Sequence, residues 1–194
     1  AVLVRDGVIA EIGSADALLK RHRGVEVIGG RDDVVTPGYV NAHQHLTGDR
    51  LIRSAIPDDI HAQDAIFGWA VPVHGAHTGD DDELSATLSL VEAVTNGITT
   101  TVEAGTVAHP DRVVAAMQAV GVRGTIGRWG WDVEEGPFAA PVNEVLAAAA
   151  ELVDRYPPAT DGLVHAWVTL VGHDLMSDEL VVGASELALV REIP

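Results

Sequence analysis

From Thr36 onward, short apolar runs that favour β-strands alternate with longer stretches that favour helices. Such an alternation predicts parallel βαβ units and therefore an α/β fold. The predicted strands are Tyr39–Ala42, Ile98–Val102, Val122–Ile126 continuing towards Trp131, and Leu163–Val171. A closed (β/α)8 barrel needs eight units and about 250 residues. The four units here correspond to the first half of such a barrel. An open doubly wound sheet is the alternative, but no glycine-rich phosphate loop follows the first strand.

The predicted helices carry recognisable end signals. Acidic residues 80–83 suit a helix N-terminus, and Gly97 ends that helix. Its predicted buried stripe consists of Leu84, Leu88, Val91 and Val94. Three further helices are predicted: Pro110–Val120 ending at Gly121, Asn143–Arg155, and Asp178–Arg191 capped by Ser177. The segment from about Leu46 to Gly79 fits neither pattern and is predicted to be irregular.

Residues 1–36 are predicted to form a separate N-terminal domain, and residues 37–194 the α/β domain. Ala1–Arg5, Val8–Ile12 and Val25–Ile28 favour strands, and Asp6-Gly7 favours a hairpin turn. A short helix is predicted at Ala15–Arg21. So small a sheet is not stable alone, so it is expected to pack on further structure.

Composition excludes several function classes. The chain has 194 residues, a net charge of −17 and no cysteine. The negative charge disfavours nucleic acid and acidic membrane surfaces as partners. Without cysteine, any metal must be held by histidine and carboxylate side chains. No apolar run approaches the roughly 18 residues of a membrane helix, and the N-terminus lacks a signal-peptide pattern, so the cytoplasm is the expected location.

The motif with the clearest chemistry is Pro37-Gly38-Tyr39-Val40-Asn41-Ala42-His43-Gln44-His45-Leu46. Side chains two residues apart on a strand point to the same face, so His43 and His45 can bind one divalent ion. They lie at the C-terminal end of the first strand, where parallel barrels place their active sites. These two histidines are therefore the predicted metal ligands.

This motif resembles the first-strand signature of the amidohydrolase superfamily, closest to its cytosine deaminase, chlorohydrolase and S-adenosylhomocysteine deaminase-like branch. Residues 92–102, 121–123, 176–180 and 186–188 are similar to later segments of that branch. Residues 1–28 resemble the small β-sandwich segment that precedes the barrel. The resemblance implies a metal-dependent amidohydrolase that hydrolyses a C–N or C–halogen bond of a small amide or heterocycle, with deamination as the favoured reaction and a metal-activated water as nucleophile.

The same resemblance implies ligands that this sequence does not contain. Members of the branch take further ligands from a fifth-strand histidine, often a sixth-strand histidine, and an eighth-strand aspartate, and their proton-shuttling glutamate lies beyond the fifth strand. The only lysine, Lys20, lies outside the barrel portion, so a metal-bridging carboxylated lysine is excluded and one ion is expected. Zinc is favoured, and iron and manganese are compatible with imidazole ligands.

Two readings of function therefore stay open. The first is the hydrolase, acting on a small-molecule substrate. The second is a truncated, non-catalytic half-barrel that oligomerises through its open sheet edges, because parallel strand edges pair readily with another chain. A homo-oligomer is expected in particular under the second reading.

Other residues are weaker candidates for the site. Glu103 ends the second strand and is predicted to orient a metal ligand as its outer partner, with an ordinary strand-end carboxylate as the alternative. Trp131, after the third strand, and His173, after the fourth, are predicted substrate contacts, with core packing and solvent exposure as their respective alternatives. His165 is predicted to be a packed core residue. The loop histidines His61, His74 and His77 are expected to be mostly solvent-exposed.

Overall fold

The computed structural model describes residues 1–48, 50–53, 55–158 and 162–194. It contains two compact units, Ala1–Pro37 and Gly38–Pro194.

The first unit is a β-hairpin followed by a short helix. β1 (Val2–Arg5) pairs antiparallel with β2 (Val8–Ile12) through a turn at Asp6-Gly7. α1 (Ala15–Arg21) begins at Ser14, whose hydroxyl accepts a hydrogen bond from the Ala17 backbone N–H. These three elements confirm the sequence prediction. The strand predicted at Val25–Ile28 is wrong, because that segment pairs with no strand among the described residues and Ile28 is 90% exposed.

The second unit is built on a parallel four-stranded sheet, which confirms the predicted α/β class and βαβ order. Its strands are β3 (Tyr39–Gln44), β4 (Ile98–Glu103), β5 (Arg123–Ile126) and β6 (Val164–Ala166), adjacent in that order. All three neighbouring pairs are parallel. The carboxyl ends of all four strands therefore meet at one edge of the sheet, as the site prediction requires.

Two strands end earlier than predicted. β5 stops at Ile126 because the chain leaves the sheet, and the Trp129 backbone N–H donates to the Val107 carbonyl 3.0 Å away. β6 ends at Ala166, and beyond it the Val168 N–H donates a hydrogen bond to the Pro194 carbonyl instead of to a neighbouring strand.

The described part of the second unit contains five α-helices, of which the last four begin and end close to the predicted positions. They are α2 (Val71–Ala76), α3 (Gly79–Thr95), α4 (Pro110–Val120), α5 (Val142–Arg155) and α6 (Asp178–Arg191). Gly121 ends α4 in the left-handed conformation (φ 82°), and Ser177 caps α6 by accepting from the Leu180 N–H. Among the described residues, no helix is both long enough and apolar enough to cross a membrane.

The segment predicted to be irregular contains helical structure. A π-helical stretch (Asp64–Ala70) runs directly into α2, so the prediction for residues 46–79 is wrong in that part. Positions 49 and 54 of that segment lie outside the described residues. Pro72 lies where the π-helical stretch passes into α2.

The predicted buried stripe of α3 is also wrong. Leu84, Leu88, Val91 and Val94 are 42–52% exposed, and the buried face consists of Asp82, Ser85, Ala86, Ser89, Leu90 and Ala93. Small residues line this face, and the hydroxyls of Ser85 and Ser89 donate to the Leu46 carbonyl. α3 therefore packs through a partly polar surface and presents its apolar side outward.

Two clusters of buried side chains hold the described part of the second unit together. The larger joins the sheet to its helices and includes Leu46, Leu90, Val113, Met117 and Ile126. The smaller is aromatic and lies beside the loop ends of the strands, with Val71, Trp129, Trp131 and Leu175 buried and Phe138 packed against them.

Candidate metal centre

His43 and His45 come together at the carboxyl end of β3. His43 lies in the strand and His45 just beyond it, two residues on, so both side chains leave the same face. Their Nε2 atoms are 3.1 Å apart, and their rings meet edge to face with centroids 4.9 Å apart. His43 is exposed and His45 half-buried. The predicted pair is thus assembled with its ring nitrogens converging on one point.

This spacing fits two ligands of one tetrahedral ion. Zinc–nitrogen bonds of about 2.0–2.1 Å at a tetrahedral angle place two nitrogens roughly 3.3 Å apart. The observed 3.1 Å is close to that separation. Within residues 1–48, 50–53, 55–158 and 162–194, no group of three or more His, Asp or Glu side chains is arranged to hold a metal. The pair alone therefore provides two ligands of an incomplete set.

Behind His45 lies a buried polar chain that begins at the end of β4. The Nδ1 atom of His45 is 2.9 Å from the hydroxyl oxygen of Thr106, a residue 5% exposed. That hydroxyl donates to Oε1 of Glu103 at 3.5 Å, and Glu103 is fully buried. The Gly105 N–H donates to the other carboxyl oxygen at 2.6 Å. Glu103 thus lies behind the ligand pair, with Thr106 between it and His45.

Burial controls the charge of Glu103. Loss of solvent raises the pKa of its carboxyl to about 8, although hydrogen bonds from Gly105, Thr106 and Leu46 act in the opposite direction. The carboxyl therefore carries a proton for much of the time near neutral pH.

His74 is buried on α2, contrary to the expectation of an exposed loop histidine. Its ring meets Trp129 edge to face, with centroids 5.2 Å apart. Burial, followed by the charges of His77 and His45, lowers the pKa of His74 to about 4. His74 is therefore neutral at pH 7 and lies within electrostatic reach of the candidate metal pair.

A cavity of about 510 Å³ opens next to His74 and not at His43 or His45. Its walls come from α2, from the loops after β4, β5 and β6, and from α5 and α6, and its polar side chains include His77, His109, Arg128 and Glu144. One aromatic wall is Trp129, which stacks on Phe138 with ring centroids 4.5 Å apart. A planar ligand can lie along such a wall.

Neither predicted substrate contact lines this cavity. Trp131 is 1% exposed in the aromatic cluster, and its indole N–H donates to the Glu134 carbonyl at 2.7 Å. His173 is exposed at the start of a 3₁₀ turn. His61 is exposed as expected, and His165 is half-buried, with Nδ1 3.1 Å from the Pro157 carbonyl. The substrate roles of Trp131 and His173 stay predictions.

Comparison with known proteins finds similarity to several deaminases. Residues 1–24 match the model for the bacterial imidazolonepropionase-like composite domain. A 5-methylthioadenosine/S-adenosylhomocysteine deaminase from Nitratidesulfovibrio vulgaris is 34% identical over 99 residues, which is 51% of this chain and 22% of that protein. The deaminase of the same name from Syntrophobacter fumaroxidans is 25% identical over all 194 residues, or 43% of its own length. The first-strand motif resembles this same branch of enzymes.

These matches show that the chain is similar to members of the amidohydrolase superfamily. The chain spans less than half the length of these curated relatives.

Solved structures agree with this superfamily fold. The guanine deaminase from C. acetobutylicum, crystallised with bound guanine, aligns over 100% of this chain and 46% of its own, with a TM-score of 0.80 and 18% identity. An adenosine deaminase from Xanthomonas campestris with bound zinc aligns over 81% of this chain and 35% of its own, with a TM-score of 0.67 and 24% identity. Because the sequence identities are only 18% and 24%, these two similarities show a shared fold and nothing about function.

Sequence reasoning missed Thr106 and the burial of His74. Thr106 is 61 residues from His45, and nothing in its own neighbourhood marks it as polar support. Only the topology could have indicated Thr106, because this residue follows the end of β4, the strand that pairs with β3. For His74, the pattern of its loop gave no indication of a helix.

Proposed function

We propose that the protein is a metal-dependent amidohydrolase that removes an amino group from a small heterocycle by hydrolysis of a C–N bond. The observation that carries this proposal is the 3.1 Å separation of the His43 and His45 Nε2 atoms at the carboxyl end of the first parallel strand. The names of the curated relatives support an amino-substituted purine nucleoside as substrate.

His43 and His45 would hold one divalent ion, with zinc the first choice because imidazole suits it and an adenosine deaminase of like fold carries it. When bound, such an ion activates water as a nucleophile at neutral pH. The remaining ligands and the acid/base would come from residues outside these 194, since the chain spans at most 43% of the two relatives described.

The chain's own residues would also shape the approach to the pair. His74 is neutral and buried, so it adds no positive charge beside the ion. The cavity walls formed by Trp129 and Phe138 are apolar and flat, which suits the ring of a heterocycle.

The experiment is an ammonia-release assay on the complete natural protein that carries this sequence. The substrates are 5′-methylthioadenosine, S-adenosylhomocysteine, adenosine and guanine, each with and without zinc after chelator treatment. The proposal expects zinc-dependent ammonia release that is lost in His45→Ala and retained in His61→Ala, an exposed histidine. Equal turnover by His45→Ala and the parent protein would contradict it.

A second candidate is supported by exposed apolar side chains on β3, an edge strand of the sheet, and on helix α6. Tyr39 and Val40 on β3 are 63% and 61% exposed, and Leu189 and Val190 on α6 are 77% and 78% exposed. In the described chain, β3 pairs on one side only, with β4. These surfaces suit the half-barrel alternative, in which the chain is non-catalytic and oligomerises through its open edges.

Intact mass combined with light scattering separates the two candidates. A polypeptide mass near 20.3 kDa in a stable oligomer favours the half-barrel. A polypeptide of roughly twice that mass favours the hydrolase, because the missing strands would then be present. A monomer of 20.3 kDa at low micromolar concentration would contradict the half-barrel oligomer.

A further inference from the structure

The polar chain behind His45 has a direction that follows from its donors and acceptors. In its ionised form Glu103 supplies acceptor oxygens, and the Thr106 hydroxyl donates its hydrogen to one of them. The Thr106 oxygen is then available to accept from His45 Nδ1, 2.9 Å away. In this arrangement the proton of a neutral His45 ring resides on Nδ1, and Nε2 keeps its lone pair for a ligand on the His43 side.

The position of Thr106 is set independently of His45. Its carbonyl accepts the hydroxyl of Thr47 at 3.0 Å, and Thr47 is fully buried. The preceding residue, Gly105, has φ +89°, and a Cβ at this position would lie 2.7 Å from the Thr169 side chain. The turn after β4 is therefore held by its own contacts, and the hydroxyl reaches His45 from a fixed point.

Glu103 is likewise more than a strand-end carboxylate at the surface. It is completely buried, and Gly105 anchors its Oε2 through a 2.6 Å hydrogen bond. A buried carboxyl is costly unless its oxygens are used, and here one oxygen is used by the backbone and the other by Thr106.

We propose that Thr106 and Glu103 are positioning residues that lock His45 as its Nδ1–H tautomer and so present Nε2 to the metal. This inference rests on the proposed function for the metal pair. The inference adds that the Thr106 hydroxyl contacts the His45 ring, and that the Glu103 carboxylate acts on the ring only through this hydroxyl. Outer partners of this kind are typically worth about 10–100-fold in metal affinity.

The first test needs no metal. Long-range ¹H–¹⁵N NMR of the chelator-treated protein, recorded above about pH 8 where the Glu103 carboxyl is ionised, reports which ring nitrogen of His45 carries the proton. The parent protein and Thr106→Ser, which keeps the hydroxyl, are expected to show the Nδ1–H tautomer. Thr106→Val, which has nearly the same shape and no hydroxyl, is expected to show a mixture or the other tautomer.

The second test measures zinc affinity by competition with a chromophoric chelator. Thr106→Val is expected to bind zinc about 10–100-fold more weakly than the parent, with Thr106→Ser within about threefold of it. Glu103→Gln, which keeps the shape of the side chain, is expected to lie between them. Near-UV circular dichroism shows that each variant keeps its packing.

The outcomes separate this inference from the proposed function. If folded Thr106→Val keeps both the Nδ1–H tautomer and the parent's zinc affinity, the positioning role is overturned. If Thr106 controls the tautomer but neither the parent nor Thr106→Ser binds zinc, the positioning role holds and the proposed metal site fails. If Thr106→Val does not fold, the His45 tautomer in Glu103→Gln decides. An unchanged tautomer in that variant overturns the positioning role of Glu103 and Thr106.

Discussion

The Nδ1 atom of His77 lies 3.1 Å from Oδ1 of Asp82, an aspartate that is 1% exposed in the first turn of α3. The other oxygen of Asp82 accepts the His109 backbone N–H at 3.0 Å, and the His109 ring lies 3.2 Å from the His77 carbonyl. One buried carboxylate thus ties together the end of α2, the start of α3 and the start of α4. These connections form one wall of the cavity.

Replacing Asp82 is therefore expected to be costly. Asp82→Ala leaves a buried N–H of His109 without its acceptor and removes the partner of His77, so we expect a loss of about 3 kcal/mol in the free energy of unfolding. Urea denaturation measures this change. The matched control is Asp80→Ala, two residues away, whose side chain is 88% exposed and paired only with Arg112 among the described residues. Equal effects of the two substitutions would show that Asp82 has no special structural role.

Glu103 should make the metal-free protein less stable as pH rises. Its folded pKa of about 8 lies above the ordinary value of 4.5, so the folded state holds a proton that the unfolded chain releases between these pH values. Stability is fully present below about pH 4.5 for this group and is lost as pH rises through 8, by on the order of 3–5 kcal/mol. Glu103→Gln should flatten this dependence in urea melts at pH 5, 6.5 and 8. Parallel curves for the two proteins would rule out the raised pKa.

His74 should make the protein less stable as pH falls below neutral, the opposite of the effect of Glu103. The pKa of His74 in the folded state is about 4, below the ordinary value of 6.5. Between these pH values the imidazole is protonated in the unfolded chain and neutral in the folded protein. Stability from this group is present above pH 6.5 and is lost as pH falls towards 4, by roughly 3 kcal/mol in all and roughly 2 kcal/mol by pH 5. Thermal unfolding at pH 7 and pH 5 should show a smaller drop for His74→Gln than for the parent. His61→Gln, at an exposed position, should leave the drop unchanged, and a His74 variant indistinguishable from it would argue against a neutral buried ring.

The close approach of Gly48 to His74 provides a steric test of the same region. A Cβ at position 48 would lie 2.6 Å from His74 Nε2, so Gly48→Ala must displace a buried ring. We expect a loss of about 1–3 kcal/mol. Gly68→Ala is the control, because a Cβ there meets nothing within 4 Å, and it should be neutral or slightly stabilising. Wild-type stability in Gly48→Ala would mean that the ring has room to move.

Much of the second unit could be predicted because its local signals agree with its packing. Ser177, Gly121 and the acidic start of α3 mark helix ends by backbone chemistry alone, and the structure keeps all three. The His43 and His45 pair could be predicted for a similar reason, since a period of two on a strand decides which side chains share a face.

Other features depend on partners distant in sequence. The apolar residues of α3 were predicted to be buried, but the helix packs on the sheet through Ser85, Ser89 and Ala93, so periodicity indicated the wrong face. The link from His45 to Thr106 crosses 61 residues and depends on how two loop ends meet. Such pairings arise from tertiary packing, which composition and spacing do not reveal.

Titration with Co²⁺ or Zn²⁺ measures whether His43 and His45 together bind one divalent ion. We expect one ion per chain, visible as a Co²⁺ absorption spectrum that zinc abolishes. Binding should be lost in both His43→Ala and His45→Ala and kept in His173→Ala, an exposed histidine outside the pair. Unchanged stoichiometry and affinity in His43→Ala or His45→Ala would show that the two histidines do not form a metal site.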